Sequence, residues 1–560
     1  MDHTRILNEI RTRETLSQAF DYAVYDRTHN DFYFDYFEIE YVAANKQSVL
    51  DEITEELKKP EEFGPRLAYA YFPPKTALCY RRMIYLPFKD LLVRYAFCIV
   101  FAKYLDSGMS PNSFANRRAS GDQAKWSLLQ DFSATSWPNF CTWQRDQAKR
   151  SSVLLRTDIS SFYDSISHSY LLDAIADELS LRRDSPVMNL LHRLLSVTVV
   201  SYSRETGEIK QDDLKQGLPI GNGTEGFLAN IYLNKVDAAI NSVSRNLAIS
   251  FGRYNDDMRI FGQSRLEVLE AVRLLQELLL VKGLNLNASK TKLAEDAEQM
   301  EDLRSKDYEL YGYLDQEDET EEDEPPAGPQ APTLVQSHVD LHFHEFDRTF
   351  SPGEALKDDK DAKEFCKFLS ARRADGTSLL HISERLPQHI EMLREVLTKW
   401  QGSGKHAAWL LVQSAFNRGV PAPTADRAKQ VLLDLFEIAG VNSYIKYRLL
   451  HHLVKSRRDR KGREYQFLDR LSETEKAGLN QRVPLFVAQP AFELNLVSLY
   501  LLRCLGASRA QLEKLVKDYA IKPDADPIRN ALSFIEPSQV ATKIPALCST
   551  QEPDEVQPEY

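Results

Sequence analysis

Two stretches of the chain place carboxylates at the ends of short apolar runs rich in β-branched and aromatic residues. In the first, the run 153–157 leads directly into Asp158. In the second, Asp256 and Asp257 lie between two apolar runs. Because Asn and Asp favour tight turns, the second pattern predicts a β-hairpin with carboxylates at its tip. Either stretch alone is also compatible with an ordinary core strand or polar turn.

Together the two stretches predict a metal site for phosphoryl transfer. Nucleotide transfer from a triphosphate uses two Mg²⁺ ions about 4 Å apart, one near the attacking hydroxyl and one near the leaving pyrophosphate. Because Mg²⁺ prefers hard oxygen ligands, we expect Asp158 and Asp256 to bind it, with Mn²⁺ as the alternative metal. Asp257 is the expected auxiliary carboxylate, and Ile159 completes the expected metal-binding set.

A glycine-rich loop separates the two carboxylate stretches. Four glycines fall between residues 216 and 226, and the apolar stretch 227–233 follows at once. Glycine lets a backbone or a base approach closely. A flexible surface loop is the ordinary alternative, but the stretch that follows is too apolar for one, so we expect a helix there.

Taken in order, these segments resemble motifs A, B and C of the reverse transcriptase palm. Residues 82–87 and 113–118 resemble blocks of the fingers, 283–291 resembles motif D, and 310–313 resembles the primer-grip hairpin. The resemblance covers residues 70 to 314 or thereabouts. It implies an α+β fold of right-hand polymerase fingers and palm, and a nucleotidyltransferase that polymerises dNTPs into DNA.

The resemblance also implies roles for single residues. Arg82, with Lys75, would hold the triphosphate, since so much negative charge requires cations. Tyr163 lies at the position of the steric gate, where a ring would exclude a ribose 2′-hydroxyl and favour dNTPs. Gln216 and Gly217 would line the nucleotide and template side.

Further basic residues are candidates for contact with phosphates. Lys290 could protonate the leaving pyrophosphate, although a plain surface lysine explains it equally well. Arg117 and Arg118, and Arg457 and Arg458 in the basic cluster 455–463, are candidates for binding nucleic acid. A solvated helix end and loop is the alternative for that cluster.

The chain of 560 residues is too long for one ordinary core. Pro, Gly and a run of acidic residues mark a break after residue 314, and apolar residues at helical spacing dominate beyond it. We predict an N-terminal helical and aromatic extension (1–70), fingers (71–150), a palm (151–314), an acidic Pro-rich linker (315–333), an all-α, possibly HEAT-like domain (334–541) and a disordered tail (542–560).

Composition narrows the class of protein. The net charge of −12 owes much to the acidic run, so it does not exclude a basic groove for nucleic acid. No apolar run is long enough to span a bilayer, and no secretory signal is visible. The six cysteines never form a C-x-x-C pair, which disfavours zinc and disulfide frameworks. We therefore expect a cytoplasmic protein with no membrane partner.

Missing segments narrow the resemblance further. We find no Cys/His nuclease cluster, no segment resembling RNase H or integrase, and no obvious thumb, whose place a long helical stretch takes. This arrangement resembles the abortive-infection and other defence-associated reverse transcriptases of bacteria. The resemblance implies an antiphage role, homo-oligomers, and synthesis that is directed by RNA, untemplated, or primed by a protein tyrosine to which the DNA stays attached.

Other interpretations stay open at this stage. A degenerate palm could be a scaffold or sensor while the helical domain binds a partner, although three adjacent carboxylates disfavour this. An RNA polymerase would need no gate at Tyr163. A metal site at His338, His342 and His344 is disfavoured because no carboxylate or cysteine geometry accompanies them. Candidate priming hydroxyls belong to Tyr33, Tyr36, Tyr41 and Tyr560.

Overall fold

The computed structural model describes residues 3–29, 32–131, 135–202, 209–309, 356–370, 386–416, 420–438, 440–458, 464–487, 489 and 491–519. Four helices form the N-terminal region. The first helices are α1 (His3–Ile10), α2 (Arg13–His29), α3 (Tyr36–Ala44) and α4 (Lys46–Glu56). The start of α3 is fixed by Asp35, whose carboxylate accepts hydrogen bonds from the amides of Phe37 and Glu38.

Strands and helices alternate from residue 68 to residue 309. The first part contains β1 (Ala68–Tyr71), β2 (Met83–Tyr85), α5 (Phe88–Leu105) and α6 (Trp137–Ala148). The second contains β3 (Val153–Asp158), α7 (Phe162–Ser165), α8 (His168–Leu179), α9 (Pro186–Leu195), β4 (Thr198–Tyr202), β5 (Ile209–Asp213), α10 (Glu225–Ser244), β6 (Ile249–Tyr254), β7 (Asp257–Gly262), α11 (Arg265–Val281), β8 (Lys292–Ala294) and α12 (Ala297–Glu309).

These strands form two four-stranded sheets. The palm sheet has the order β6-β7-β3-β8 and is antiparallel throughout. The fingers sheet has the order β2-β1-β4-β5, with β1 parallel to β4. Strands β4 and β5 lie in the sequence range expected for the palm, yet they pair with the strands of the fingers. The fingers sheet is therefore assembled from two separate parts of the chain.

The palm sheet is covered on both faces, which explains its nearly continuous apolar strands. Leu155 and Ile260 belong to the core that includes α10 and α11. Their neighbours Leu154 and Phe261 point to the opposite face, where they pack with Leu303 of α12. Burial on both faces makes the sheet a rigid support for the side chains at its strand ends.

The region after residue 356 is mainly helical. It contains α13 (Asp359–Ser370), α14 (Leu386–Thr398), α15 (Gly404–Phe416), α16 (Ala422–Glu437), α17 (Ser443–Val454), β9 (Arg457–Arg458), β10 (Glu464–Tyr465), α18 (Glu473–Arg482), α19 (Pro484–Val487), α20 (Phe492–Cys504) and α21 (Arg509–Tyr519). The hairpin of β9 and β10 is an exception to the all-α expectation. The α+β class with an added helical region is confirmed, and the HEAT-like arrangement stays a prediction.

The helical region shares one aromatic core with the N-terminal helices and the fingers sheet. The Phe492 ring lies 5.2 Å from that of Tyr33 and 5.3 Å from that of Tyr69. The rings of Tyr36 and Tyr500 stack at 4.4 Å. Burial of Tyr33 and Tyr36 contradicts the suggestion that they present exposed priming hydroxyls. Tyr41 is half-buried.

Several expectations fall outside the described residues. They concern Tyr560, the three histidines of 338–344, the primer-grip segment 310–313, the acidic linker and the C-terminal tail. In the ranges that the structure does describe, no helix combines the length and the apolarity needed to cross a bilayer.

Candidate active site

Pairing of β3 with β7 brings the predicted carboxylates together. Asp158, the last residue of β3, lies opposite Asp257, the first residue of β7. Asp256 occupies the turn between β6 and β7, and its carbonyl accepts a hydrogen bond from the amide of Ile159 at 3.3 Å. The strand register thus places Asp256 beside the end of β3, as the sequence predicts.

The turn itself depends on Asn255. This residue has φ of 54°, in the left-handed region that Asn tolerates better than most residues. Its side-chain oxygen accepts a hydrogen bond from the Asn116 amide. The preceding Arg253 is buried and forms an ion pair with Asp237 at 2.8 Å. The tip of the hairpin is therefore held in place from both the fingers side and α10.

Burial and a neighbouring carboxylate together shape the electrostatics of Asp256. Burial and the negative charge of Asp158 raise the pKa of Asp256 to about 6. Two partly buried carboxylates that repel each other form a stable site only when a cation lies between them or one is protonated. Asp158 and Asp256 therefore fit the divalent cation expected from the sequence.

Asp257 has different partners. Arg259 donates to both of its carboxylate oxygens, at 2.7 and 3.0 Å, and Arg156 lies at 3.6 Å. Burial opposes ionisation of Asp257, but the charge and hydrogen bonds of Arg259 outweigh it and lower the pKa. In the described ranges, no group of three or more His, Cys, Asp or Glu residues could hold a metal ion. The contacts with Arg259 and Arg156 are compatible with the auxiliary role expected for Asp257, and the metal-binding set stays a prediction.

Lys290 and Asn287 contact the Asp158 carboxylate. The Lys290 ammonium lies 2.6 Å from Oδ2, and the Asn287 side-chain amide lies 3.5 Å from Oδ1. The Asn287 backbone amide also donates to the Asp158 carbonyl at 2.7 Å. Lys290 is therefore close enough to the carboxylates to carry a proton at the site, as the resemblance implied, and it also neutralises Asp158.

A cleft of about 500 Å³ lies between the fingers and the palm, and three aspartates, Asp164, Asp212 and Asp213, form part of its lining. Arg82 lies in its wall and donates to Asp164 at 2.9 Å, with both side chains half-exposed. Gln216 and Lys215 line the same cleft. Two predicted binding residues, Arg82 and Gln216, thus share one opening of a size suited to a nucleoside triphosphate.

Tyr163 lies near Asp256. Burial and the negative charge of Asp256 raise the pKa of its hydroxyl. The rings of Tyr163 and Phe162 are 5.2 Å apart. Lys75, by contrast, is exposed on the hairpin that precedes β2, and its carbonyl faces Gly402 of the helical region. Of these two, the structure places Tyr163 at the site and Lys75 at the contact between fingers and helical region.

Gly217 is confined by the backbone that follows Asp158. It has φ of +86°, and a β-carbon there would stand 3.1 Å from the Asp164 backbone. Its amide donates to the Ile166 carbonyl at 2.7 Å, and the buried His168 ring lies 2.7 Å from its carbonyl. Any other residue would push the loop away from Tyr163, which explains the glycine.

The predicted nucleic-acid contacts divide into two kinds. The Arg117 guanidinium contacts Asp106 at 3.0 Å and the carbonyls of Ser110 and Ser113, so its described hydrogen bonds are within the protein, and its contact with nucleic acid stays a prediction. Arg118 is exposed. Arg457 and Arg458 form β9, away from the palm sheet in sequence and in pairing, and their contact with nucleic acid stays a prediction.

Sequence reasoning passed over two charged groups near the site. Arg81 feels the negative charge of Asp256, although burial lowers its pKa overall. In the sequence, the position of Arg81 next to Arg82 could have indicated that it lies near the site. Glu225 forms a buried ion pair with Arg94 at 2.7 Å, and burial raises the pKa of Glu225 to about 7. Glu225 therefore anchors α10 to α5 and does not face the nucleotide.

The raised pKa of Asp256 makes Mg²⁺ binding dependent on pH. A proton and the metal compete for the same carboxylate, so we expect the affinity to be constant above about pH 7 and to fall about tenfold per unit well below pH 6. Titration calorimetry with Mg²⁺ between pH 5 and 8 checks this. Asp256→Asn should bind weakly and without this pH dependence; equal parental affinity at both ends of the range would contradict the assignment.

Part of the chain is similar to known proteins. Residues 112–317 match the family described as reverse transcriptase (RNA-dependent DNA polymerase). A solved structure of apo telomerase from Candida tropicalis, truncated from its C-terminal domain, is similar at 16% identity with a TM-score of 0.23. That similarity covers 28% of this chain and only 34% of the telomerase chain. No curated protein sequence matches the chain.

Proposed function

We propose that this chain makes DNA from dNTPs with two Mg²⁺ ions. It carries a reverse transcriptase domain and is thereby a nucleotidyltransferase that polymerises nucleic acid. The observation that carries this proposal is the pairing of β3 with β7, which brings Asp158 opposite Asp257 and the Asp256 turn beside the end of β3. Mn²⁺ is an acceptable substitute, since it also takes oxygen ligands. The template is either RNA or absent.

The residues of the site divide the work of nucleotide transfer. Asp158 and Asp256 would hold the metal, which when bound supplies the positive charge that stabilises the attacking and leaving oxygens. Arg82 would bind the triphosphate in the cleft, releasing Asp164. Lys290 carries a proton 2.6 Å from Asp158 and could pass it to the departing pyrophosphate. Asp257 would set the shape of the turn through Arg259 and would not bind metal directly.

The biological setting that we propose is antiphage defence in a bacterium. It rests on the arrangement seen in the sequence, with a long helical region in the place of a thumb. The helical region covers the fingers sheet, with Phe492 in contact with Tyr69 and Tyr85. We propose that the working form is a homo-oligomer, and that a template or non-coding RNA is its nucleic-acid partner.

Incorporation of labelled dNTP by the purified protein tests the proposed reaction. A nuclease-treated sample, stripped of copurifying RNA, is assayed in parallel. Synthesis that survives the treatment indicates untemplated or protein-primed polymerisation, and synthesis that requires added RNA indicates a template. Absence of incorporation in every arm, with Mg²⁺ or with Mn²⁺, would contradict the proposal.

Tyr163→Ala should relax the choice of sugar. Removal of the ring beside the carboxylates opens space for a 2′-hydroxyl, so the preference for dNTP over NTP should fall by roughly 100-fold, the upper range for discrimination by packing. Competition between labelled dATP and ATP measures it. Tyr163→Phe keeps the ring and should keep the preference; an RNA polymerase would show the same sugar choice in all three proteins.

A scaffold or sensor function is the second candidate, and one observation favours it. The Lys290 ammonium already lies 2.6 Å from Asp158, where it could replace a metal permanently. In that case the helical region would bind a partner and the palm would make nothing. A biological effect that persists in Asp256→Ala would support the scaffold, whereas loss of the effect would support the polymerase.

A further inference from the structure

The loop that follows Gly217 is held by a helix of the N-terminal region. This loop, residues 220–223, leads into α10 and lies next to β2 of the fingers. The Gly223 amide donates a hydrogen bond to Oδ2 of Asp26, on α2, at 3.0 Å. A β-carbon at Gly223 would stand 3.2 Å from the other carboxylate oxygen of Asp26 and would collide with the hydroxyl of Tyr95 on α5. The backbone of the loop therefore packs closely against both α2 and α5.

The neighbouring Arg27 ties the same loop to the fingers. Its Nη1 donates to Oδ1 of Asn222 at 3.2 Å, and its Nη2 donates to the carbonyl of Leu86, directly after β2. The guanidinium lies 4.2 Å from the centre of the Tyr85 ring and is almost fully buried. One side chain thus connects α2, the glycine-rich loop and the end of the strand that follows Arg82.

The loop and β2 are also bonded directly to each other. The Ile84 amide donates to the Ile220 carbonyl at 2.9 Å, and the Asn222 side-chain amide donates to the Ile84 carbonyl at 3.0 Å. Together with the Arg27 contacts, these bonds fix the distance between β2, which directly follows Arg82, and the loop 220–223, which follows Gln216 and Gly217 in the sequence. Arg82 and Gln216 both line the cleft.

We infer that Asp26 and Arg27 are positioning residues for the incoming nucleotide, acting through Gly223, Asn222 and Leu86. The inference rests on the proposed polymerase function, because it concerns the same cleft. Neither side chain reaches the carboxylates of the palm, so neither takes part in the chemical step. Their loss should let the loop and β2 separate and should weaken nucleotide binding more than it slows turnover of bound nucleotide.

The KM and kcat for dNTP of Asp26→Leu test this inference. Leucine has the same branched shape and fills the partly buried site, but it accepts no hydrogen bond from Gly223 or from the Tyr95 hydroxyl. We expect KM for dNTP to rise about tenfold, the size expected for loss of one hydrogen bond to a charged acceptor, with kcat within about twofold. Asp26→Asn keeps an acceptor oxygen and should restore most of the loss.

Asp21→Leu is the matched control. Asp21 lies on the same helix, is exposed, and pairs with Lys46 at 2.5 Å. Asp21→Leu should leave the KM for dNTP unchanged. A purely structural role for Asp26 would lower the melting temperature and the active fraction, and hence kcat, without moving KM. Should Asp26→Leu fail to fold, Arg27→Lys carries the test, since lysine keeps the charge but cannot bridge Asn222 and Leu86.

The possible outcomes separate this inference from the proposed function. A parent protein that incorporates no dNTP overturns both. A parent that incorporates dNTP, with KM unchanged in the folded Asp26→Leu or Arg27→Lys variant, overturns the inference alone. A rise in KM for these variants and none for Asp21→Leu supports it.

Discussion

Asp256→Asn should stabilise the metal-free protein while it abolishes nucleotide incorporation. In the folded state the pKa of Asp256 is raised from 3.8 to about 6 by burial and by Asp158, so the native state binds the proton more tightly than the unfolded chain does. The free energy of unfolding therefore falls as pH rises from about 4 to about 6 and stays low above that. An uncharged amide removes this cost, which is worth roughly 3 kcal/mol at pH 8.

Urea unfolding in EDTA, at pH 5 and at pH 8, measures this effect. The contribution of Asp256 should make the free energy of unfolding of the parent lower at pH 8 than at pH 5. Asp256→Asn should lack this contribution to the difference between the two pH values. Added Mg²⁺ should stabilise the parent and leave the variant unchanged, because a ligand stabilises only the state that binds it. A variant less stable than the parent at pH 8 without metal would contradict the account.

The adjacent carboxylate provides a control of opposite sign. Asp257 accepts two hydrogen bonds from Arg259, whose guanidinium is buried. Asp257→Asn leaves that charge without its partner, and we expect a loss of about 3 kcal/mol, as for a broken buried ion pair. Two neighbouring aspartates should thus shift stability in opposite directions, which no general effect of lost negative charge would produce.

Phe492→Ala should destabilise the whole chain, not only the helical region. The Phe492 side chain is 1% exposed, and its ring lies within 6.1 Å of the rings of Tyr33, Tyr69, Tyr71 and Tyr85. Truncation of a buried phenylalanine costs about 3 to 5 kcal/mol. Because the partners belong to the N-terminal region and the fingers, the loss should appear in the unfolding of those parts as well.

Denaturant unfolding followed by two probes checks this prediction. Far-ultraviolet circular dichroism reports on helices throughout, and dNTP incorporation reports on the cleft. Both midpoints should move together to lower denaturant. Leu485→Ala is the control, because Leu485 lies in the same region but is 59% exposed and should cost little. A loss below about 1 kcal/mol, or a cleft that unfolds at the parental midpoint, would show that the helical region is independent.

The local patterns of the palm could be predicted from sequence because they depend on near neighbours. An apolar run that ends in Asp158 and a polar turn at Asp256 fix strands, turn and carboxylates together. The pairing of Asp257 with Arg259 could also be predicted from the sequence, since residues two apart on a strand share a face.

What could not be predicted depends on contacts between distant parts of the chain. Strands β4 and β5 join the fingers through a parallel pairing with β1, which local periodicity cannot reveal. Tyr33 and Tyr36 pack against the helical region, which lies more than 400 residues away in the sequence. There the Tyr36 hydroxyl lies 3.0 Å from a ring nitrogen of His451. The sequence places Arg27 near the end of a helix, and only the folded structure reveals its hydrogen bonds to Asn222 and Leu86.

One assay tests the central claim most directly. Purified parent and Asp256→Asn are given labelled dNTP and Mg²⁺ side by side, after unfolding curves have shown that both are folded. The account predicts incorporation by the parent and a loss on the order of 1,000-fold or more in the variant, as expected when a metal ligand is removed. Equal incorporation by the two folded proteins would contradict the assignment of Asp158 and Asp256 as the metal-binding pair.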